Sequence, residues 1–469
     1  MYALLRFVTG IALRWFYRDV SVRHADRVPR DGTPLLLAVN HPNALVDALL
    51  IGWTLPRRIT ITAKATLFEN RLLGWFLRTA GVVPLRRASD EQQRLTQQHR
   101  TAAAAGSGHL DRARNTEAFR AILERLEQGG AVLIFPEGKS HDEPALAPLR
   151  TGPARIALQA QRERRVSSLM ILPIGLIFER KEAPRSRVLV DVGEPLDIGR
   201  WAATTATARE VEALTEEIER RLRDVTLNYV TTDEAVRTRG LAQIFASLLD
   251  EPRPVGAGRS LEDEIEIERR LEQARRLFSG ENADPALRAR AECLLDRVTA
   301  FERTLFTERI AIDEVAIPIK RRHGARFVLR ELGILAVAGP IALWGRLSHW
   351  IPFRLARVLG ERDMTSRDQP AMRTILAGLV LVVLFYATTA AVVAHIAGEL
   401  AAAVYLMSLP IAADIDLRFT DRMHRARQRM RAYLRFRQDP ELREQLRAEH
   451  AWLTSEITDL ASALERAAY

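Results

Sequence analysis

The sequence predicts an α/β domain with a mostly parallel central sheet, followed by an all-α region and a C-terminal membrane helical hairpin. Residues 21–200 alternate short apolar runs with stretches of helical period, as chains do when they cross between parallel strands. Residues 374–398 contain no Asp, Glu, Lys or Arg. Because about 20 such residues can cross a bilayer as a helix, this stretch predicts a membrane span.

The α/β domain is assigned to residues 21–200 from six short apolar runs. Residues 69–79 and 117–127 between them have helical period, and the polar stretch 87–111 is predicted to be a surface insertion. The six predicted strands are Leu35–Val39, Ile59–Ala63, Gly81–Leu85, Val132–Phe135, Leu169–Phe178 and Val188–Val192.

The remaining segments are predicted to be helical. Residues 201–325 open with apolar residues spaced three or four apart and form the all-α region. Residues 1–20 predict an interfacial N-terminal helix, with an ordinary packing helix as the alternative. Residues 416–469 predict a C-terminal amphipathic helix that lies on anionic headgroups.

Residues 326–415 are predicted to associate with a membrane, with the hairpin at about 374–413. Arg373 precedes the hairpin and eight arginines lie between Arg418 and Arg437, so both of its ends are expected on the cytoplasmic side. Leu332–Leu343 is too short to span and is expected to be re-entrant or interfacial. A buried helical hairpin of a soluble protein is the alternative for residues 374–413.

The charge balance points to an anionic partner. The net charge of +10 fits a membrane surface, a phosphorylated substrate or nucleic acid. The arginines flank apolar spans instead of alternating with aromatic residues, which disfavours nucleic acid. The single cysteine, Cys293, excludes an intramolecular disulfide and any multi-cysteine metal site, and its helical surroundings predict a buried thiol.

The stretch Leu36–Leu49, reading LLAVNHPNALVDAL, places a histidine at the end of a predicted buried strand. Pro42 suits the first turn of a helix, so His41 lies in a strand-to-helix turn and Asp47 on the helix that follows. An imidazole with a nearby carboxylate is the pair that a general base needs. A capping histidine and a solvated aspartate are the alternative.

Three further blocks carry polar groups at predicted strand ends. Arg86 and Arg87 end a strand as two guanidinium groups that match phosphate oxygens, although two solvated charges would look the same. Phe135 to Ser140 presents Glu137, Gly138, Lys139 and a hydroxyl after an apolar strand. Pro173 and Gly175 interrupt the third block and predict backbone that lines a pocket, with a core strand as the alternative.

The Gly138-Lys139-Ser140 sequence also looks like the end of a P-loop. That motif needs a glycine five residues before Gly138, where this chain has Leu133. Nucleotide binding by a P-loop is therefore excluded.

In this order the blocks resemble the glycerolipid acyltransferase superfamily, which includes glycerol-3-phosphate and lysophosphatidate acyltransferases. The resemblance covers roughly residues 20–200 and rests on Asn40-His41-Pro42 with Asp47, Gly81 with Arg86, Phe135–Ser140, and Leu172–Gly175. Each block is weak alone, whereas the ordered series is specific. The HPNALVD wording and the long C-terminal part look more like the branch of fungal-type glycerol-3-phosphate and dihydroxyacetone-phosphate acyltransferases.

The chain departs from the family pattern at one point. Five residues separate His41 from Asp47, where the family usually has four. A helix advances about 100° per residue, so the extra residue turns the carboxylate to another face unless the turn at Pro42 absorbs it. The sequence alone leaves the pairing of Asp47 open.

The resemblance implies a role for each site residue. His41 is the general base and Asp47 holds its tautomer, while Arg86 binds the acceptor's phosphate with Arg87 or Lys139 as auxiliaries. The remaining positions contact the substrates. Glu137 binds the acceptor's free hydroxyl or orders its loop, Gly138 and Ser140 give backbone and hydroxyl contacts, and Pro173 shapes the acyl-donor side.

The implied reaction needs no metal, no cofactor and no covalent acyl-enzyme, because acyl-CoA or an acyl carrier protein thioester is a co-substrate. Ser140 as a nucleophile is the rival mechanism, but no G-x-S-x-G elbow surrounds it.

The expected function is transfer of an acyl group to the hydroxyl of glycerol 3-phosphate or dihydroxyacetone phosphate in phospholipid biosynthesis. Lysophosphatidate is the alternative acceptor, and a non-catalytic lipid-binding membrane scaffold is the alternative of another class. The expected location is the cytoplasmic (inner) membrane, with the catalytic domain on the cytoplasmic side.

Overall fold

A computed structural model describes most of the chain: residues 2–30, 32–68, 81–85, 118–163, 168–205, 208–249, 260–279, 284–315, 321–361 and 370–468, with the single positions 74, 78, 166 and 317. The chain divides into two units. The first comprises Met1–Tyr229 with Ala356–Leu379, and the second comprises Val230–Leu355 with Val380–Tyr469.

The first unit alternates strands and helices. In chain order they are α1 (Tyr2–Phe16), β1 (Asp19–Arg23), β2 (Leu35–Val39), α2 (Ala44–Thr54), β3 (Ile59–Lys64), β4 (Val83–Leu85), α3 (118–127), β5 (Ala131–Ile134), α4 (Gly152–Glu163), β6 (Met170–Phe178), β7 (Arg187–Val192), β8 (Leu196–Asp197), α5 (Ile198–Thr204) and α6 (Glu210–Val225).

The six predicted strands are confirmed, with ends that shift by one or two residues. Two strands were not predicted. Strand β1 alternates polar and apolar residues instead of forming an apolar run, and β8 has only two residues. Helix α3 matches the prediction for 117–127. The predicted insertion at 87–111 and all of 69–79 except positions 74 and 78 lie outside the described residues.

The strands form one mostly parallel sheet in the order β1-β7-β6-β2-β5-β3-β4, with β8 paired to β6. Strands β6, β2, β5, β3 and β4 are mutually parallel, and β7 and β8 run antiparallel to β6. The predicted parallel sheet is confirmed. The carboxyl ends of β2, β5 and β6 therefore meet at one edge, where ligands bind in open parallel sheets.

Strand β2 is buried on both faces because helices cover both sides of the sheet. Leu35, Leu37 and Val39 pack into a core with residues of α1 and α2. Leu36 and Ala38 point the other way, into a core with residues of α3, α4 and α6. A continuous apolar run is the expected sequence of such a strand.

The described residues after position 230 are mostly helical. The α-helices among them are α7 (Thr232–Leu249), α8 (Leu261–Ser279), α9 (Pro285–Glu308), α10 (Arg321–Glu361), α11 (Pro370–Ala397), α12 (Glu399–Gln438) and α13 (Pro440–Ala468), with a short 3-10 helix at Ile312–Glu314. The predicted all-α region is confirmed. The prediction that Cys293 is buried is wrong, because its position on α9 is exposed to solvent.

Three helices in the described part of the chain are long and apolar enough to cross a membrane: Gly324–Leu359, Arg373–Ala397 and Glu399–Gln438. The length argument for Leu332–Leu343 was wrong, because this stretch lies inside the continuous helix α10. Helices α11 and α12 are separated at Gly398, which has φ 88°. Helix α12 continues past Ala413 through the arginine-rich stretch, so no boundary falls at residue 416.

Polar side chains on the apolar helices of the second unit have partners there. His349 is buried, and its Nε2 lies 2.5 Å from the Tyr386 hydroxyl. Arg346 forms an ion pair with Asp416 at 2.9 Å. In an apolar environment an unpartnered polar group is costly, so such pairs are the expected arrangement.

Replacing Gly175 of β6 by alanine should destabilise the protein. A Cβ at Gly175 would lie 1.9 Å from the carbonyl oxygen of Val225 at the end of α6. We expect Gly175→Ala to lower the free energy of unfolding by about 1–3 kcal/mol, as overpacked cores do. Chemical denaturation measures it. Gly152→Ala is the control because its Cβ meets nothing within 4 Å, and equal stability of the two variants would contradict this packing.

Candidate active site

The turn after β2 carries the predicted histidine. Asn40 directly follows the strand and extends its pairing with β6, since its side chain donates to the Leu176 carbonyl at 3.1 Å and accepts from the Leu176 amide at 2.7 Å. His41 follows and is buried, with Nδ1 2.9 Å from Oδ2 of Asp47. The structure therefore brings together the imidazole and the carboxylate that the sequence left unpaired.

The backbone of the turn absorbs the extra residue between His41 and Asp47. Helix α2 begins only at Ala44, so Pro42 and Asn43 are outside it. Ala44 has φ 47°, in the left-handed region that residues with a Cβ rarely adopt. With this conformation at its first residue, helix α2 starts in an orientation in which Asp47, in the first turn, faces His41.

Asp47 is completely buried, and its Oδ2 also accepts a hydrogen bond from the backbone amide of Asn43 at 2.7 Å. Burial raises the pKa of the Asp47 carboxyl, and the hydrogen bond from His41 opposes that rise. Burial and the negative charge of Asp47 raise the pKa of Tyr17 well above its ordinary value, so its hydroxyl stays neutral. That hydroxyl accepts a hydrogen bond from the Asn43 side chain at 3.1 Å.

The contacts of the His41 ring define its tautomer and its plane. Because Nδ1 faces the Asp47 carboxylate, Nδ1 carries the proton and Nε2 is the nitrogen that can accept one. The ring stacks on Phe135 with centroids 3.8 Å apart and planes 10° apart. Phe135 directly follows β5, so the neighbouring strand fixes the orientation of the imidazole.

Glu137 lies in the turn after β5 and is buried. Its Oε1 accepts a hydrogen bond from the backbone amide of His41 at 2.6 Å. Its Oε2 accepts hydrogen bonds from the backbone amide of Ala147 at 2.8 Å and from Nε2–H of His141. Nδ1 of His141 accepts the Glu143 amide, which fixes that tautomer. Both carboxylate oxygens thus have protein donors, the arrangement expected of a residue that orders its loop.

The other predicted site residues lie in different environments. Gly138 has φ 76°, which favours glycine, and the exposed Arg150 side chain lies against it. Lys139 is exposed and Ser140 is half-buried. Pro173 lies inside β6 opposite Ala38, with its carbonyl bonded to the Gly193 amide at 2.9 Å. Arg86 and Arg87 lie outside the described residues.

Several residues of the site were not singled out from the sequence. Asn43 and His141 stand in or beside the quoted motifs, so their polar side chains in strand-end turns were the available signal. Lys181 gave no local signal, because it is 139 positions from Pro42, whose carbonyl its ammonium contacts. Among the described residues, no group of three or more His, Cys, Asp or Glu side chains is arranged to hold a metal ion.

Comparisons with known proteins find matches to the part of the chain that contains this site. Residues 19–177 match the family model described as Acyltransferase. An uncharacterized acyltransferase of Schizosaccharomyces pombe is 25% identical over 42% of this chain and 39% of its own length. Glycerol-3-phosphate O-acyltransferase 2 of Saccharomyces cerevisiae is 31% identical over 34% of this chain and 21% of its own length. The chloroplastic 1-acyl-sn-glycerol-3-phosphate acyltransferase LPAT1 of Arabidopsis thaliana is 22% identical over 37% and 40%, respectively.

The mostly parallel sheet with helices on both faces makes this an α/β protein. The buried His–Asp pair at the carboxyl edge of the sheet can accept a proton from a hydroxyl. The residues that match the Acyltransferase family model, 19–177, include the ends of β2 and β5 and the His41–Asp47 pair. The matched region spans less than half the length of each of these three relatives.

Asp47→Asn should stabilise the fold at neutral pH. Burial raises the folded-state pKa of Asp47 above its unfolded value, so ionised Asp47 costs stability above that raised pKa and costs none below about pH 4. We expect the variant's advantage in unfolding free energy to grow as pH rises from about 4 through the raised pKa. Thermal unfolding across pH measures it.

Asp224→Asn, on the exposed face of α6, is the control and should change stability by no more than about 0.5 kcal/mol. An Asp47→Asn variant that is less stable than the wild type at neutral pH would contradict the electrostatic argument.

Proposed function

We propose that the protein is a membrane-bound acyltransferase that moves a fatty acyl group from an acyl thioester to the hydroxyl of glycerol 3-phosphate or dihydroxyacetone phosphate. The carrying observation is the 2.9 Å contact between His41 Nδ1 and Asp47 Oδ2 in a domain of the acyltransferase family. The reaction belongs to phospholipid biosynthesis.

In this mechanism Nε2 of His41 takes the proton of the acceptor's hydroxyl as its oxygen attacks the thioester carbonyl. The C–O bond forms, the C–S bond breaks, and the imidazolium returns its proton to the leaving thiolate sulfur. Asp47 keeps the proton of Nδ1 in place and stabilises the transient imidazolium. A positioned base of this kind contributes about 10²–10⁴-fold to the rate.

The relatives favour glycerol 3-phosphate as the acceptor. The yeast glycerol-3-phosphate O-acyltransferase is 31% identical in its matched region, against 22% for the plant 1-acyl-sn-glycerol-3-phosphate acyltransferase. Lysophosphatidate is the second candidate because it carries the same phosphate. In both cases Arg86 is proposed to bind the phosphate, with Arg87 and Lys139 as auxiliary cations.

A non-catalytic scaffold is the alternative of another class. Its support in the sequence was the five-residue spacing between His41 and Asp47. The dyad forms in spite of that spacing because Ala44 resets the start of α2. The geometry therefore favours an enzyme.

The apolar helices support the membrane part of the proposal. Three helices have the length and composition of spans, and arginines dominate the part of α12 that follows Asp416. Because positive residues favour the cytoplasmic side, we place the catalytic domain on the cytoplasmic face of the cytoplasmic membrane.

An acceptor panel tests the proposed function. Purified protein in lipid or detergent, given labelled acyl thioester, should acylate glycerol 3-phosphate or dihydroxyacetone phosphate, and His41→Ala should lower the rate by about 10²–10⁴-fold with unfolding unchanged. Lysophosphatidate is the third acceptor of the panel. Binding of the acyl thioester with no product from any acceptor would replace the proposal with the scaffold.

Removing the predicted phosphate clamp should weaken acceptor binding. We expect Arg86→Ala to raise the acceptor KM by roughly tenfold or more, because a charge-assisted hydrogen bond is worth about 1.5–3 kcal/mol. Steady-state kinetics at varied acceptor concentration measure it. Arg155→Ala, on the exposed face of α4, is the matched control. An acceptor KM equal to that of the control would remove Arg86 from the phosphate site.

A further inference from the structure

The turn between β6 and β7 carries a lysine whose ammonium group reaches both loops of the site. Nζ of Lys181 donates to the Pro42 carbonyl at 2.8 Å and to the His141 carbonyl at 3.0 Å, and it forms an ion pair with Asp142. An ammonium group has three N–H donors, so these partners use all of them. The side chain is only 17% exposed.

Each partner of Lys181 stands next to a residue of the site. Pro42 directly follows His41, and His141 donates to the carboxylate of Glu137. The backbone carbonyl of Lys181 accepts a hydrogen bond from the Asn43 side chain at 3.0 Å. The backbone N–H of Asn43 in turn donates a hydrogen bond to the Asp47 carboxylate. Lys181 thus contacts the turn after β2 through its ammonium group and its backbone carbonyl, and it contacts the turn after β5 through the same ammonium group.

The turn that carries Lys181 is itself firmly attached. The Arg185 amide donates to the Phe16 carbonyl at 2.6 Å, and the Ser186 carbonyl accepts the Arg18 amide at 2.9 Å. The Ser186 hydroxyl donates to the Arg180 carbonyl at 2.7 Å. The two backbone hydrogen bonds connect the turn to the end of α1, so the backbone that carries the Lys181 side chain is held in place.

We propose that Lys181 is a positioning residue of the active site, which ties the His41 turn to the Glu137 turn and holds a positive charge beside the buried Asp47 carboxylate. This inference rests on the proposed function. In this role the β6–β7 turn keeps the turns after β2 and β5 in a fixed position relative to each other. The role requires no contact between Lys181 and substrate.

The charge of Lys181 also affects the ionisation of the dyad. Asp47 is paired with the imidazole of His41 and interacts electrostatically with Tyr17 and with the ammonium of Lys181, which forms its ion pair with Asp142. The Lys181 charge lowers the pKa of Asp47 and thereby opposes the larger effect of burial. Without it the pKa of Asp47 rises further, and less of the carboxylate is ionised at any given acidic pH.

The test compares Lys181→Met with Lys181→Arg. Lys181→Met should lower kcat by tenfold or more, since misplacement of about 1 Å can cost about 10²-fold, and should move the acidic edge of the pH–rate profile to higher pH. Lys181→Arg keeps the charge and should keep the acidic edge at its wild-type position while restoring part of kcat. Arg180→Met is the matched control, because it removes one exposed positive charge from the same turn.

A second readout does not depend on activity. Hydrogen exchange followed by mass spectrometry should show faster exchange of backbone amides in 41–46 and 138–142 of Lys181→Met than of Arg180→Met. Failure of the wild type to acylate any acceptor would end the proposed function, and hydrogen exchange would then decide the inference.

Two outcomes would overturn the inference. The first is wild-type kinetics or wild-type exchange in Lys181→Met. The second is a uniform loss of rate at every pH with an unmoved acidic edge and no rescue by arginine, which would show that Lys181 only supports the fold.

Discussion

The site depends on the hydrogen bond between His41 and Asp47. This bond is a constraint on the fold because it requires a carboxylate that is buried away from solvent. Asp47 is fully buried, and nothing in the described part of the chain hydrogen-bonds its Oδ1. Burying an ionised carboxylate is costly unless charges and donors compensate. The compensation comes from the imidazole, from the Asn43 amide and from the charge of Lys181. The fold thus tolerates the cost of a buried carboxylate, and the proposed general base depends on that carboxylate.

The parallel sheet explains why residues far apart in sequence meet at this carboxylate. Strands β2, β5 and β6 are neighbours and run in the same direction, so the turns that follow them open at one edge. The β2 turn supplies His41, the β5 turn supplies Phe135 and Glu137, and the β6–β7 turn supplies Lys181. Side-chain hydrogen bonds of Glu137 and Lys181 cross-link the three turns. The dyad is therefore supported by contacts from all three turns.

The sequence was sufficient for the parts that depend on local pattern. The apolar run of β2 and the proline after His41 predicted a strand-to-helix turn at the right positions. The pairing of His41 with Asp47 could not be predicted, because it depends on the left-handed φ of Ala44, a residue type with little preference for it. The partners of Glu137 were equally hidden, since a carboxylate after a strand looks the same whether it faces substrate or backbone amides. The contacts of Lys181 could not be predicted because its partners are far away in the sequence. Strand β1 could not be predicted because it lacks the apolar run of a buried strand.

The engagement of Glu137 affects how an acceptor can be bound. A carboxylate whose two oxygens accept His41 N, Ala147 N and His141 Nε2 has little capacity left for a hydroxyl of the acceptor. Releasing Glu137 to bind substrate would free the His41 amide and loosen the proposed base itself. Under the proposed function, recognition of the acceptor would then fall on its phosphate, which suits guanidinium groups, and the reacting hydroxyl would need only Nε2 of His41. Such a division would tolerate acceptors that differ beyond the phosphate, and the yeast and plant relatives are named for different glycerol phosphates.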